Sequence, residues 1–365
     1  MSDDPNGRRI AIYLPSLRGG GAERVMVTLA NGFASRGHQV DLVVVRAEGP
    51  YLEELSEAVR VVDLNCRRVL TSLPSLVRYL VRERPDAMLS ALGHANVVAI
   101  LARALSGTKP RLVVSERSMP SGTPWGPSAA ITKVLMRRLY SRADKVVALS
   151  RGMAGELVRD FGILRDHIAI IPNPVDAVGI AQLARERPSH RWLHSGQAPV
   201  VLAVGRLVEV KDHQTLLAAF AQLRRQRAAR LIILGDGELR SHLETRAEEL
   251  GIADEVDFAG FQKNPFGWMS ASAVYVMSSR HEGFPNSLVQ AMACGIPVVS
   301  TACPAGPTEI LEGGKWGRLV PVGDAEALAL AIGAALDDPN PPDVRRRAEA
   351  FALESVIAAY IQELM

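Results

Sequence analysis

Residues 280–299 read Arg-His-Glu-Gly-Phe-Pro-Asn-Ser-Leu-Val-Gln-Ala-Met-Ala-Cys-Gly-Ile-Pro-Val-Val. They place a carboxylate, Glu282, at the entry of a turn formed by Gly283, Phe284 and Pro285. Asn286 and Ser287 then open a helical pattern. A helix start presents unpaired backbone N–H groups and the positive end of its dipole, which suit a phosphate or a sugar hydroxyl. A charged acceptor just ahead of such a turn implies a ligand that is part phosphate and part polyol.

Other chemistry-bearing residues also follow strand patterns. Gly205, Arg206 and Leu207 come after an apolar run, and Lys211 lies five residues beyond Arg206. Arginine offers a planar fork to phosphate oxygens and lysine a compact charge, so the two could neutralise a diphosphate. Two solvated loop charges would give the same pattern. Gly235, Asp236 and Gly237 follow another run and read as a phosphate- or base-proximal loop or as an ordinary turn. Gly260, Phe261 and Gln262 close the next strand, where a backbone hydrogen bond to a nucleobase edge would fit. Earlier in the chain, Gly19, Gly20 and Gly21 precede a helix that contains Glu23 and Arg24. Glycines there permit close approach of a ligand or simply a tight turn. His94 ends a strand pattern and reads as a base, a sugar donor or a satisfied core residue. Glu116 and Arg117 end the next and either bind an acceptor or pair with each other.

The elements that carry these loops alternate. Apolar, β-branched runs at 9–14, 40–45, 59–64, 87–92, 111–115, 145–149 and 168–171 are separated by amphipathic helical stretches such as 22–36 and 73–84. A second series repeats the grammar at 200–204, 231–234, 256–258, 273–277, 297–300 and 318–320. Near-continuous apolar strands between helices indicate parallel sheets covered on both faces. The fold class is therefore α/β, with two Rossmann-like parallel-sheet domains. The seam is set by Pro172, Asn173 and Pro174 and by a polar stretch at 185–198. The expected division is 1–175, a linker at 176–198, a second domain at 199–342, and a closing helix at 343–365 packed across the seam. Open sheets of this type bind ligands beyond the carboxyl ends of their strands. If those ends face each other, the site lies in a cleft between the domains.

The bulk numbers exclude several classes. With 365 residues, 48% apolar and 22% charged, the chain reads as a folded protein with more than one core. A net charge of +3 gives no case for nucleic acid. Cys66, Cys294 and Cys303 are scattered, fit a reducing compartment and have no metal-ligand spacing. The first ten residues are mostly polar and lead straight into a strand, so no signal peptide is expected. The dinucleotide fingerprint is broken, because Arg24 occupies its last glycine position, and Arg46 stands where NAD would want an acid. An NAD(P) oxidoreductase is disfavoured on that ground.

Taken in this order, the motifs resemble the retaining glycosyltransferases of the GT-B fold, and within them family four. The most specific stretches are 279–299, 205–211, 235–237 and 171–176, and residues 304–310 look like a subgroup that extends lipid-linked or surface glycans. The resemblance implies a nucleoside-diphosphate sugar, expected to be UDP-linked, held mainly by the second domain. It implies a glycan or lipid-linked glycan acceptor held mainly by the first. Arg206 and Lys211 match the diphosphate pair, Glu282 the first acid of the E-x7-E motif, and 283–287 the turn that holds sugar hydroxyls and phosphate. His94 matches a histidine that contacts the donor sugar. Gly20, Gly21, Asp236, Gly237 and Gln262 join the donor set, and Glu116 and Arg117 the acceptor set. The second acid of the motif is Gln290 here, which loses charge-assisted acceptance from the ribose hydroxyls.

The resemblance further implies same-face attack without a dedicated protein base. No D-x-D stands at a strand end, and the two cations can substitute for a divalent ion, so no cofactor or metal is expected. A cytoplasmic location is expected, with a peripheral contact at the inner face of a membrane. Two basic stretches bear on that contact. One carries Arg78, Arg82 and Arg84, the other Lys133, Arg137, Arg138 and Arg142. Such helices lie on anionic lipid or form solvated faces. The competing functions are an epimerase or phosphorylase on the same scaffold and a non-catalytic nucleotide-sugar-binding protein.

Overall fold

The computed structural model describes residues 7–18, 20–117, 127–194, 196–304 and 306–365, with backbone only for 127–129. Gly19, residues 118–126 and Ala305 therefore lie outside the described residues. The chain divides into two compact units, Met1–Pro174 with Glu354–Met365, and Val175–Leu353.

The first unit is built on β1 (Arg9–Leu14), β2 (Gln39–Val44), β3 (Val59–Asp63), β4 (Ala87–Ala91), β5 (Arg111–Ser115), β6 (Lys145–Ala148) and β7 (Ile168–Ile170). The second is built on β8 (Val200–Val204), β9 (Arg230–Leu234), β10 (Val256–Gly260), β11 (Val274–Met277), β12 (Val298–Thr301) and β13 (Arg318–Val320). Each strand falls on an apolar run of the sequence. Both sheets are parallel, in the orders β3-β2-β1-β4-β5-β6-β7 and β10-β9-β8-β11-β12-β13. In each sheet the order reverses once, between β1 and β4 and between β8 and β11. At such a reversal the loops leaving the two strands diverge and open a crevice.

Burial explains the strand composition. In the second unit Val201, Ala203, Leu231, Ile233, Val274 and Val276 pack with Leu216, Phe220 and Leu223 of the helix His213–Gln226, and with Leu328 and Ile332 of Ala325–Leu336. Several helix starts are capped by a short polar side chain. Ser150 accepts from the Met153 N–H at 3.1 Å, Asp176 from Gly179 at 2.9 Å and Asp324 from Ala327 at 2.9 Å.

Two segments differ from their sequence reading. The stretch following the seam is docked rather than a bare polar linker. It contains the helix Ala177–Leu183, Asn264 Nδ2 donates to the Leu183 carbonyl at 2.9 Å, and Trp192 is buried. The chain end is two helices, Val344–Ala348 and Leu353–Leu364, with a short 3-10 turn at Glu349–Phe351 between them. The Val175 N–H donates to the Phe351 carbonyl at 2.8 Å and the Leu353 N–H to the Val175 carbonyl at 3.1 Å. That bridge draws 351–353 into extended pairing and breaks the helix. The last helix then packs within the first unit, where the Arg111 Nε donates to the Glu363 carbonyl at 2.6 Å.

Gly235 and Gly155 give opposite expectations. Gly235 has φ +137°, and a Cβ there would sit 2.0 Å from the Gly205 carbonyl oxygen. Gly155 lies inside the helix Arg151–Phe161 with no described atom within 4 Å of such a Cβ. Gly235→Ala should cost about 3 kcal/mol or more, and Gly155→Ala should gain about 1 kcal/mol. Thermal melts of the two variants check the ordering, and a reversed order contradicts this account of the loop.

Candidate active site

The loop after β8 is where the cations lie. Leu207 is fully buried and anchors it, while Arg206 is exposed. Its path is fixed by the neighbouring loop after β9. The Leu207 N–H donates to the Asp236 carbonyl and the Leu239 N–H to the Leu207 carbonyl, both at 3.0 Å. A Cβ on Gly237 would lie 2.5 Å from the Leu207 oxygen. The glycines at 235 and 237 thus let two loops stack backbone to backbone. That is a packing role the sequence reading, which weighed only turn against ligand, did not contain. Asp236 stays exposed and accepts from the Gly237 N–H at 2.8 Å.

Because β8 and β11 are neighbours, the loop after β11 lies against this one. Lys211 Nζ donates to Glu282 Oε1 at 2.6 Å, and Ser279 Oγ donates to the same oxygen at 2.7 Å. The two ion-paired side chains are 22% and 10% exposed. Around them the loops are tied together by the Ser278 hydroxyl on the Lys211 carbonyl at 2.9 Å and by the Arg280 N–H on the Val210 carbonyl at 2.8 Å. Thr301 at the end of β12 holds the Ser279 carbonyl at 2.6 Å. Two of the residues assigned to the donor, 71 positions apart, are therefore in direct contact.

The helix predicted after the Gly/Pro turn runs Asn286–Cys294, with Pro285 at its cap and no side-chain cap. The Phe284 and Pro285 side chains are buried, Phe284 against Phe351 with ring centroids 5.6 Å apart and Pro285 against Gly306. These two side chains fix the turn. Ser287 Oγ accepts from Tyr275 Oη at 2.7 Å, which leaves the serine proton available to a ligand. Burial raises the Tyr275 phenol well above its ordinary range, so it stays a donor. Gln290, half-buried on the second turn, makes no side-chain hydrogen bond with a described residue. Gln262 Nε2 donates to the Ala259 carbonyl at 2.7 Å, closing the turn from which Phe261 projects, 80% exposed.

In the first unit, Gly20 is the N-cap of the helix Gly21–Ala34. The Glu23 carboxylate lies over Gly20, only 2.1 Å from where a Cβ would be. His94 is exposed in the first turn of Gly93–Ser106, after Leu92, which is held at φ +78°. Partial burial of the imidazole lowers its pKa. Glu116 and Arg117 are both buried, and the Arg117 backbone N–H and charge both favour the Glu116 carboxylate. Glu116 Oε2 accepts from Tyr140 Oη at 2.8 Å. Arg117 Nη1 reaches Tyr360 Oη at 3.2 Å, and Asn96 Nδ2 reaches Tyr140 Oη at 3.0 Å. Burial pushes the Glu116 carboxyl up to about 7, against the opposing Tyr140 hydrogen bond. Arg117 Nε and Nη2, one edge of the guanidinium, have no hydrogen-bond partner among the described residues.

The sequence reading missed Asp212, His213, Ser279 and Tyr275. The aspartate could have been read as a helix N-cap, since Thr215 follows three residues later and its N–H is accepted at 3.3 Å. The others are identified only once the strand order is known. Among the described residues no group of three or more His, Cys, Asp or Glu is placed to hold a metal, and no helix is long and apolar enough to cross a membrane.

Comparison with known proteins agrees with this layout. A model described as Glycosyltransferase Family 4 matches residues 19–178, and one described as Glycosyl transferases group 1 matches residues 198–338. The Campylobacter jejuni N-acetylgalactosamine-N,N'-diacetylbacillosaminyl-diphospho-undecaprenol 4-alpha-N-acetylgalactosaminyltransferase is 30% identical over 344 residues, covering 91% of each chain. The Rhizobium meliloti lipopolysaccharide core biosynthesis glycosyltransferase LpsE is 30% identical over 349 residues, covering 94% of this chain and 93% of its own. The structure of Anabaena Alr3699/HepE in complex with UDP and glucose has a TM-score of 0.78 at 23% identity, covering 97% of this chain and 98% of that one. Two parallel-sheet Rossmann-like units of seven and six strands define a protein of the GT-B class. The chain belongs to the group 1, family 4 glycosyltransferases.

The buried Glu116 yields a pH expectation. Its folded pKa of about 7 lies above the ordinary value of 4.5, so between those values the folded state binds more protons than the unfolded one. Its contribution is fully present below pH 4.5 and is lost as pH rises to about 7, an effect on the order of 3 kcal/mol. Glu116→Gln should flatten that part of the stability profile in denaturant titrations. An unchanged slope between pH 4.5 and 7 contradicts the assignment.

Proposed function

We propose that this glycosyltransferase moves a sugar from a nucleoside diphosphate, UDP being the expected carrier, to a hydroxyl of a lipid-linked or surface glycan, with retention at the anomeric carbon. The observation that carries the reading is the Lys211–Glu282 contact at the strand-order reversal, with the exposed Arg206 in the same loop. The names of the relatives support the acceptor class, since one acts on a diphospho-undecaprenol glycan and the other serves lipopolysaccharide core synthesis. The HepE complex supports UDP as the nucleotide.

In the proposed reaction the bond between the anomeric carbon and the diphosphate oxygen breaks. A new bond forms on the same face to the acceptor oxygen, whose proton passes to the departing phosphate. Negative charge grows on the diphosphate, and fixed donors aimed there lower the barrier. Arg206 and Lys211 supply cations, and the start of the helix Asn286–Cys294 supplies amides and the Ser287 hydroxyl. Lys211 has three N–H donors and spends one on Glu282, which leaves two for phosphate oxygens. Glu282 keeps its second oxygen for a sugar hydroxyl, and Gln290 serves the ribose. The partnerless edge of Arg117 suits an acceptor group with two oxygens.

The acceptor class favours work at a membrane surface. On the helix Pro127–Leu139 the exposed Ile131 and Val134 lie beside the exposed Arg137 and Arg138, and its sequence contains no acid. Apolar and basic residues together suit an anionic lipid surface. The protein should co-sediment with anionic vesicles at low salt and be released by high salt. Absence of binding at low salt rejects this part of the proposal.

Arg206→Ala and Lys211→Ala should each lose about 2.7–4 kcal/mol of transition-state stabilisation, read as turnover of UDP-sugar in the presence of a glycan acceptor. The same assay should survive EDTA. Near-normal turnover in either variant, or loss of activity with EDTA, rejects the assignment of these cations to the leaving group.

A further inference from the structure

Three consecutive residues, Lys211, Asp212 and His213, at the entry of the helix His213–Gln226 each hold a different part of the site. Lys211 holds Glu282. His213 Nε2 donates to the Arg206 carbonyl at 3.3 Å, and burial lowers its pKa to about 4, so the ring stays neutral and its Nε2 proton stays in place. Asp212 holds Arg280, whose Nε donates to Asp212 Oδ2 at 2.9 Å. Only Lys211 belongs to the proposed donor machinery.

The Asp212–Arg280 pair has the marks of a brace. Asp212 is 5% exposed and sits at φ +49°, a region unfavourable for a residue with a side chain. Capping the helix does not require this, because an N-cap ordinarily has extended backbone. The conformation lets one carboxylate accept from the Thr215 N–H at 3.3 Å, the Thr215 hydroxyl at 2.9 Å and Arg280 together. Beside it the Arg280 N–H holds the Val210 carbonyl. Side chain and backbone of Arg280 thus clamp the loop after β11 onto the loop after β8, two residues ahead of Glu282.

Charge completes the picture. Lys211 and Arg280 balance Asp212 and Glu282 in a compact set of four. Removing Arg280 would leave the Asp212 carboxylate uncompensated next to Lys211, where it competes with Glu282 and repels a diphosphate.

We infer that Asp212 and Arg280 are positioning residues whose ion pair fixes the spacing between Lys211 and the 282–287 turn at which a diphosphate is read. The inference rests on the assignment of Lys211 to the donor diphosphate. It is tested by calorimetric binding of UDP, with GDP and ADP as alternatives, to the wild-type chain, Arg280→Met, Arg280→Lys, Asp212→Asn and the Asp212→Asn/Arg280→Met double variant. Melting curves check that each variant folds, and asparagine keeps the helix cap.

Arg280→Met and Asp212→Asn should each weaken nucleotide binding about tenfold, and Arg280→Met should cost nothing further in the Asp212→Asn background. Arg280→Lys, which can restore the pair, should recover most of the affinity. Wild-type affinity in all variants overturns the inference. So does an Arg280→Met loss that is the same in both backgrounds, since Arg280 would then act on the ligand directly. If the wild-type chain binds none of the three nucleotides, the donor assignment itself falls, and the inference with it.

Discussion

The Lys211–Glu282 ion pair depends on a single topological fact, the adjacency of β8 and β11 in the second sheet. Parallel strands require crossovers, and the reversal of strand order sends the helices after β8 and β11 to opposite faces. The two loops are left side by side at the carboxyl edge. Everything assigned to the diphosphate follows from that edge. The stacked glycine loops set the path of Arg206, the hydroxyls of Ser278, Ser279 and Thr301 tie down loop carbonyls and Glu282, and Tyr275 orients Ser287. A half-buried lysine against a nearly buried carboxylate costs desolvation, and such pairs add little net stability.

The first unit uses burial differently. Its carboxyl edge carries a polar network of Asn96, Ser115, Glu116, Arg117, Tyr140 and Tyr360. A carboxyl group whose pKa is near 7 is a hydrogen-bonding group first and a charge second. The open edge of Arg117 is the exception, a buried pair of donors without acceptors among the described residues. At this edge a single acid is held by hydrogen bonds, and burial raises its pKa, where the second unit's edge sets carboxylates against cations.

The sequence was legible where a residue's environment is set by its own element. Strands buried on both faces, such as Arg9–Leu14, Ala87–Ala91 and Arg230–Leu234, read as apolar runs in the bare chain. The helix after the Gly/Pro turn was visible for a similar reason. Contacts between loops were not legible. Asp212 and Arg280 lie 68 positions apart, and no local pattern announces their pairing before strand order is known. Glycines 235 and 237 looked like turn or ligand residues because the loop they stack against is distant in sequence. The break after Phe351 was hidden because the apolar spacing continues through it. The partner that breaks the helix, Val175, is supplied from the far side of the second unit's sequence.

The most direct test of the central claim is a crystal structure of the protein bound to a sugar nucleotide. The account requires the pyrophosphate within hydrogen-bonding distance of Arg206, Lys211 and the backbone of 283–287, with the Lys211–Glu282 contact kept or exchanged for a phosphate oxygen. A pyrophosphate bound elsewhere on the chain, with Lys211 and Glu282 undisturbed, would contradict it.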